Sequence, residues 1–176
     1  MKFIKFISIV IFLFISEIVF SQTEKNTEID KTTTQFYEIS YNKTLFDFYD
    51  QPNFGFVLFY KFENNDDDYL DCLKLSIDDL RKYKTMDLDY LASLQEYVLK
   101  SDFKIIESKK IQKQDNQDYF LFVYEKSISN YQIKIHHRIY FKNGYGYNFS
   151  LRTVTSKFDK LYLNSEPIFN SFKLLN

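Results

Sequence analysis

The chain has 176 residues with 23 Lys and Arg against 24 Asp and Glu, a formal net charge of -1 that excludes the distinctly basic balance of a nucleic-acid binder. Its one cysteine excludes an intramolecular disulfide, so the fold must hold by packing alone. Twenty Phe and 15 Tyr beside three Gly, two Pro and no Trp, with abundant Lys, Asn and Ile, read as AT-rich coding bias ahead of aromatic recognition.

Met1 to Ser21 carries Lys2 and Lys5, then the apolar run Phe6 to Ile15, then Val19-Phe20-Ser21 at the positions a signal peptidase reads, which is the pattern of a secretory signal. The apolar run is too short to span a bilayer, and the single cysteine, Cys72, lies too far downstream to take a lipid anchor. The expectation is an exported protein, periplasmic or extracellular, with no membrane span. Cleavage after Ser21 leaves a formal charge of -2 on about 155 residues, one domain's length. Gln22 to Gln35 has a single aliphatic residue, Ile29, and reads as a flexible leader. The domain then spans residues 36–176.

Within it, Tyr37, Ile39 and Tyr41 alternate, and Leu45, Phe46 and Phe48 resume before Gln51-Pro52-Asn53, giving two short strands. Phe54 to Glu63 is apolar on both faces and suits a sheet interior, and Tyr69 to Ile77 follows as another strand after the polar run Asn64 to Asp68. From Thr85, taken as the N-cap, to Ser101 the period changes: Leu88, Leu91, Leu94 or Gln95, and Val98 recur at helical spacing, so one long helix packs on the sheet by that stripe. Phe103 to Gln112 and Tyr119 to Lys126 read as the next strand pair. Phe158, Leu161 and Tyr162 begin a terminal helix, with a restart expected at Ser165-Glu166-Pro167.

Tyr131 to Lys142 and Tyr145 to Val154 form a hairpin around Asn143-Gly144. A two-residue turn would set Arg138 against Phe149 and Lys142 against Tyr145. A three-residue loop instead pairs Phe141 with Tyr145, Ile139 with Tyr147 and His137 with Phe149, and is the expected register because it separates apolar from charged side chains. Lys134, His136, Arg138, Tyr140 and Lys142 then gather on the back of the hairpin with Arg152, a basic, Tyr-flanked face suited to docking an acidic partner. The charge distribution agrees: Glu63 to Asp89 holds nine acids and four bases, whereas Lys126 to Lys160 holds seven bases and one acid.

Chemistry finds little support. His136 and His137 are adjacent on a strand and point to opposite faces, so they cannot share a metal. No Gly-x-Ser-x-Gly occurs, Cys72 has no nearby histidine, and Asn64 to Asp68 with Asp71 lacks the spacing of a calcium loop and reads as a solvated turn. No catalytic residue and no cofactor are expected.

The order of strands, long helix, antiparallel meander and a terminal helix ending Ile168-Phe169-Asn170-Ser171-Phe172-Lys173 resembles the PsbP-like superfamily over roughly Phe36 to Asn176. The resemblance implies an α+β fold, a central antiparallel sheet of about six to seven strands between one long helix and a C-terminal helical segment, an α/β/α sandwich. It implies a non-enzymatic role, that of an exported binding or assembly factor of the bacterial envelope or secreted fraction; with the basic face above, the expected partner is another envelope or secreted protein with an acidic surface. The alternatives are a small-molecule carrier or enzyme using a pocket between helix and sheet, and a structural protein that self-associates through the Phe36 to Tyr49 edge.

Overall fold

The computed structural model describes residues 28–52, 54–61, 71–115 and 117–175. The expected signal peptide and the run Asn64 to Asp68 lie outside them. In chain order the elements are β1 (Ile29–Thr33), β2 (Tyr37–Asn42), β3 (Phe46–Gln51), β4 (Gly55–Tyr60), β5 (Cys72–Asp79), α1 (Leu88–Asp102), β6 (Lys104–Ile111), β7 (Tyr119–Ile128), β8 (Tyr131–Lys142), β9 (Tyr145–Val154), α2 (Phe158–Ser171) and β10 (Lys173–Leu174). Seven strands form one antiparallel sheet in the order β3-β4-β5-β9-β8-β7-β6, and a small sheet, β1-β2-β10, lies apart from it.

The large sheet has two buried faces because its middle strands are apolar at successive positions rather than alternate ones. On one face, Ile133, Ile135 and Ile139 of β8 join Phe122 and Tyr124 of β7 beneath Ala92 and Leu99 of α1. On the other, Leu58, Leu73, Leu75, Tyr147, Phe149 and Leu151 pack against Phe158, Ile168 and Phe169 of α2 and against Tyr37 and Ile39 of the small sheet. The helix N-cap is Asp87 rather than Thr85: its Oδ1 accepts the Tyr90 amide at 2.7 Å, two residues closer to the apolar stripe.

The sheet-facing stripe of α1 is Leu88, Leu91, Ala92 and Leu99, while Leu94 and Val98, expected on it, are exposed. Three further expectations are corrected. The leader is not flexible throughout, since Ile29–Thr33 pairs along its length with β2 and is held by Lys31–Glu38 at 2.8 Å and by Tyr41 Oη donating to Asp30 at 3.2 Å. That strand is exposed, so ladder bonds and charges order it, and an argument from buried apolar area misses it. The terminal helix does not restart at Ser165: α2 runs continuously through Pro167, because Phe158, Leu161, Ser165, Ile168 and Phe169 are buried along one stripe that spans the proline.

The third correction is the hairpin register. The observed pairs are Lys142 with Tyr145, Tyr140 with Tyr147, Arg138 with Phe149 and His136 with Leu151. Asn143 and Gly144 both have positive φ, 52° and 79°, the two left-handed residues of a type I′ turn whose twist matches the flanking strands. The rejected register is the real one because both faces of β8 are core, so a basic residue opposite an aromatic one is not thereby exposed.

Candidate functional site

The register decides where the candidate basic face goes. His136, Arg138 and Tyr140 share the face of β8 that α2 covers, and all three are buried. Arg138 is 4% exposed. Its guanidinium carbon lies 4.9 Å from the Tyr119 ring centroid and 4.5 Å from that of Phe169. Its Nε donates to His136 Nε2 at 3.2 Å and its Nη1 to the Phe169 carbonyl at 3.4 Å. The His136 ring in turn lies 4.9 Å from both Tyr162 and Phe169.

This cluster is built from the sequence upward. Three alternate positions of one strand supply a cation, a neutral acceptor and a phenol, and the helix supplies a carbonyl and two rings. Burial, and then the positive charge of Arg138, push His136 down to about 3, so it stays neutral and can accept from the guanidinium. Burial, ahead of every other cause, raises the Tyr140 hydroxyl well above its ordinary range. The arrangement fastens α2 to the sheet and offers no surface to a partner.

The other residues of the expected face separate. Lys134 Nζ sits 4.3 Å from the Phe158 ring centroid and covers the start of α2. Arg152 pairs with Ile135 and lies on the opposite face of the sheet, exposed. Lys142 stays at the rim of the hairpin, donating to the Leu174 carbonyl at 3.2 Å. His137, on the face beneath α1, has its Nε2 3.2 Å from Asn148 Oδ1, while Asn148 Nδ2 donates to Asp78 at 2.9 Å. Burial pushes His137 down to about 4. Asp71 is not part of a solvated turn: it is 3% exposed and 3.5 Å from Lys157 Nζ. Among the described residues no group of three or more His, Cys, Asp or Glu is placed to hold a metal.

Three cavities open at the surface of the described residues. One of about 90 Å³ is lined by Thr34, Phe36, Asp50 and Ile77, one of about 240 Å³ by Asp102, Lys104, Glu125 and Gln132, and one of about 480 Å³, open to solvent, by Asp79, Arg81 and Lys82. The second of these lies where the C-terminal end of α1, at Asp102, meets Glu125 of β7 and Gln132 of β8.

The third adjoins a feature the sequence reading passed over, the segment Leu80-Arg81-Lys82-Tyr83-Lys84 between β5 and α1. It is a structured loop. Leu80 N donates to the Gly144 carbonyl at 2.8 Å, Tyr83 N to the Leu80 carbonyl at 2.8 Å, and Arg81 grips Asp79 through Nε at 2.9 Å and Nη2 at 2.6 Å. The Arg81 guanidinium carbon also lies 4.9 Å from the Tyr145 ring centroid, and Tyr145 is the cross-strand partner of Lys142. The result is a rim that presents Lys82, Lys84 and a 49% exposed Tyr83 beside the hairpin tip. The signal was available: three cations around a tyrosine between a strand and a helix, where a fixed scaffold positions a loop.

No protein-family model matches the sequence, and neither does a curated protein. Solved structures do. The chain is similar to PsbP (CyanoP) from Synechocystis sp. PCC 6803, with a TM-score of 0.58 and 15% identity over 84% of this chain and 93% of that one. It is similar to LpqN, involved in cell envelope biogenesis of Mycobacterium tuberculosis, with a TM-score of 0.56 and 8% identity over 83% of this chain and 82% of that one. A Bacteroides thetaiotaomicron structure aligns with a TM-score of 0.50 and 9% identity, over 84% of this chain and 48% of that one. At these identities the likeness concerns the fold, and the seven-stranded antiparallel sheet with one long and one C-terminal helix has the PsbP-like architecture.

Proposed function

We propose that the protein is an exported, non-enzymatic binding or assembly factor that docks an acidic surface of another envelope or secreted protein through the rim formed by Lys82, Tyr83, Lys84 and Lys142. The observation that carries this reading is the ordered loop between β5 and α1, which exposes an aromatic ring and two lysines while its own acid, Asp79, is held by Arg81. Tyrosine flanked by cations on a fixed loop suits recognition of carboxylates, with the charges steering the encounter and the ring supplying contact area. The LpqN likeness supports an envelope setting. No helix of the described residues is long and apolar enough to cross a membrane.

Affinity capture from the native envelope tests the reading. A partner held by this rim should be released as salt is raised across the range where exposed charges are screened. Capture that is insensitive to salt would count against it.

A further inference from the structure

The smallest of the three cavities is walled by two ordered turns. Thr34 Oγ1 accepts the Phe36 and Tyr37 amides at 3.1 and 3.2 Å, and the Gln51 carbonyl accepts the Phe54 amide at 2.8 Å, so its walls are fixed before anything binds. Tyr37 lines the cavity and is 1% exposed. Its hydroxyl is wholly buried with no hydrogen-bond partner among the described residues, a costly state for a polar group. Burial, and then the negative charge of Asp50, push that hydroxyl up to about 12. Asp50 lines the same cavity and is exposed at its mouth. Asp47, Asp79 and Asp89 are held by Lys61, Arg81 and Lys110, whereas among the described residues no cation pairs with Asp50. No Lys or Arg lines the cavity.

We infer that this cavity receives the ammonium group of a lysine side chain carried by the protein that docks on the rim, a step that rests on the proposed function. Charge selects the ammonium. The Asp50 carboxylate can only accept, the Tyr37 oxygen has lone pairs free, and Phe36 supplies an aromatic ring, so the walls suit a cationic donor and repel an anion. Size selects the end of a side chain. A volume of about 90 Å³ is well below the roughly 300–1,000 Å³ of a small-molecule pocket, and a compact ammonium suits it better than a planar guanidinium. Position selects the source. The Phe36 ring centre lies 5.1 Å from that of Tyr145, which lies 4.9 Å from the Arg81 guanidinium carbon, so two aromatic contacts join the cavity to the rim. An extended chain covers that span in about three residues. The segment recognised therefore carries acids opposite Lys82 and Lys84 and a lysine a few residues away.

A lysine probe tests the cavity apart from the partner. N-acetyl-lysine N-methylamide, titrated against the full chain up to about 50 mM, a range suited to a weak single contact, should give saturable NMR shifts at the amides of Phe36, Gln51 and Gly55. The uncharged norleucine analogue should give none. Asp50→Asn should abolish the shifts. Tyr37→Phe should weaken the probe about tenfold without lowering the urea midpoint, because the hydroxyl it removes has no partner in the folded chain. Lys82→Glu with Lys84→Glu should bind the probe as the wild type does. In capture from the native envelope, Asp50→Asn should hold the partner about tenfold more weakly. No saturable shift in the wild type, or equal shifts with the norleucine analogue, would overturn the ammonium site. Probe binding lost in Asp50→Asn while capture is unchanged would overturn the assignment to the partner's lysine and leave a site for a free amine. Loss of capture on rim reversal alone would overturn this inference with the rim reading intact, whereas capture that survives rim reversal overturns the rim reading and leaves the probe shifts to decide the cavity.

Discussion

The guanidinium of Arg138 lies close enough to α2 that its carbon is 4.5 Å from the Phe169 ring centroid, while in the ladder Arg138 stands directly opposite Phe149. The charge is thus placed among rings inside the protein. Contact with aromatic faces contributes about 2 kcal/mol when desolvated, and bonds to the Phe169 carbonyl and to neutral His136 satisfy part of the fork. The site is tolerable for a cation and hostile to an anion.

Arg138→Glu should therefore behave as a folding mutation. A carboxylate buried among Tyr119, Phe169 and His136 without a cation loses about 3–5 kcal/mol of stability, visible as a large drop in urea midpoint. Arg138→Met keeps the packing volume and should lose clearly less. Equal midpoints for Arg138→Glu and the wild type would show that the residue is not held as described.

The two histidines make stability depend on pH. Their ordinary value is 6.5, and burial holds His136 at about 3 and His137 at about 4 in the folded chain. Between these values the unfolded chain binds two protons that the folded chain does not. Stability is therefore complete above pH 6.5 and falls as pH drops toward 4, by up to about 1.4 kcal/mol per histidine per pH unit. Asp71, whose carboxyl is raised by burial, acts with the opposite sign at the acid end. Urea midpoints measured between about pH 7.5 and about pH 4.5 should decline, and His137→Gln should decline with roughly half the slope. A midpoint flat over this window would contradict the burial of both rings.

Gly55 opens β4 with φ of 114°, and a Cβ there would run into the Leu75 carbonyl on the neighbouring strand. Both the conformation and the close approach require glycine. Gly55→Ala should lose about 2–4 kcal/mol, whereas Ser76→Ala, on the strand partner of Gly55, should change the midpoint little.

Much of the architecture was legible in the residues. The period-two runs located β2 to β9, the change to helical period located α1, and doubly apolar β4 and β7 announced cover on both sides of the sheet. What escaped has physical causes. β1 is ordered by ladder bonds and ion pairs on an exposed strand, so its composition looks like a leader. Pro167 looks like a restart because local preference favours one, and a buried stripe on both sides of it prevails. The hairpin register was decided by whether Arg138 and Tyr140 face water, which depends on α2 lying over them, a contact some thirty residues distant in sequence. The basic face moved with the register, and the loop between β5 and α1 emerged as a candidate only once Gly144 was seen to anchor it.

The central claim is that the inward row His136, Arg138 and Tyr140 is structural while the outward rim recognises the partner. The direct measurement is quantitative capture from the native envelope by three folded proteins: wild type, Arg138→Met, and Lys82→Glu with Lys84→Glu, each verified by circular dichroism. The account expects Arg138→Met to retain the partner like the wild type and the double charge reversal to lose it. Capture that survives the rim reversal but fails in folded Arg138→Met would contradict it.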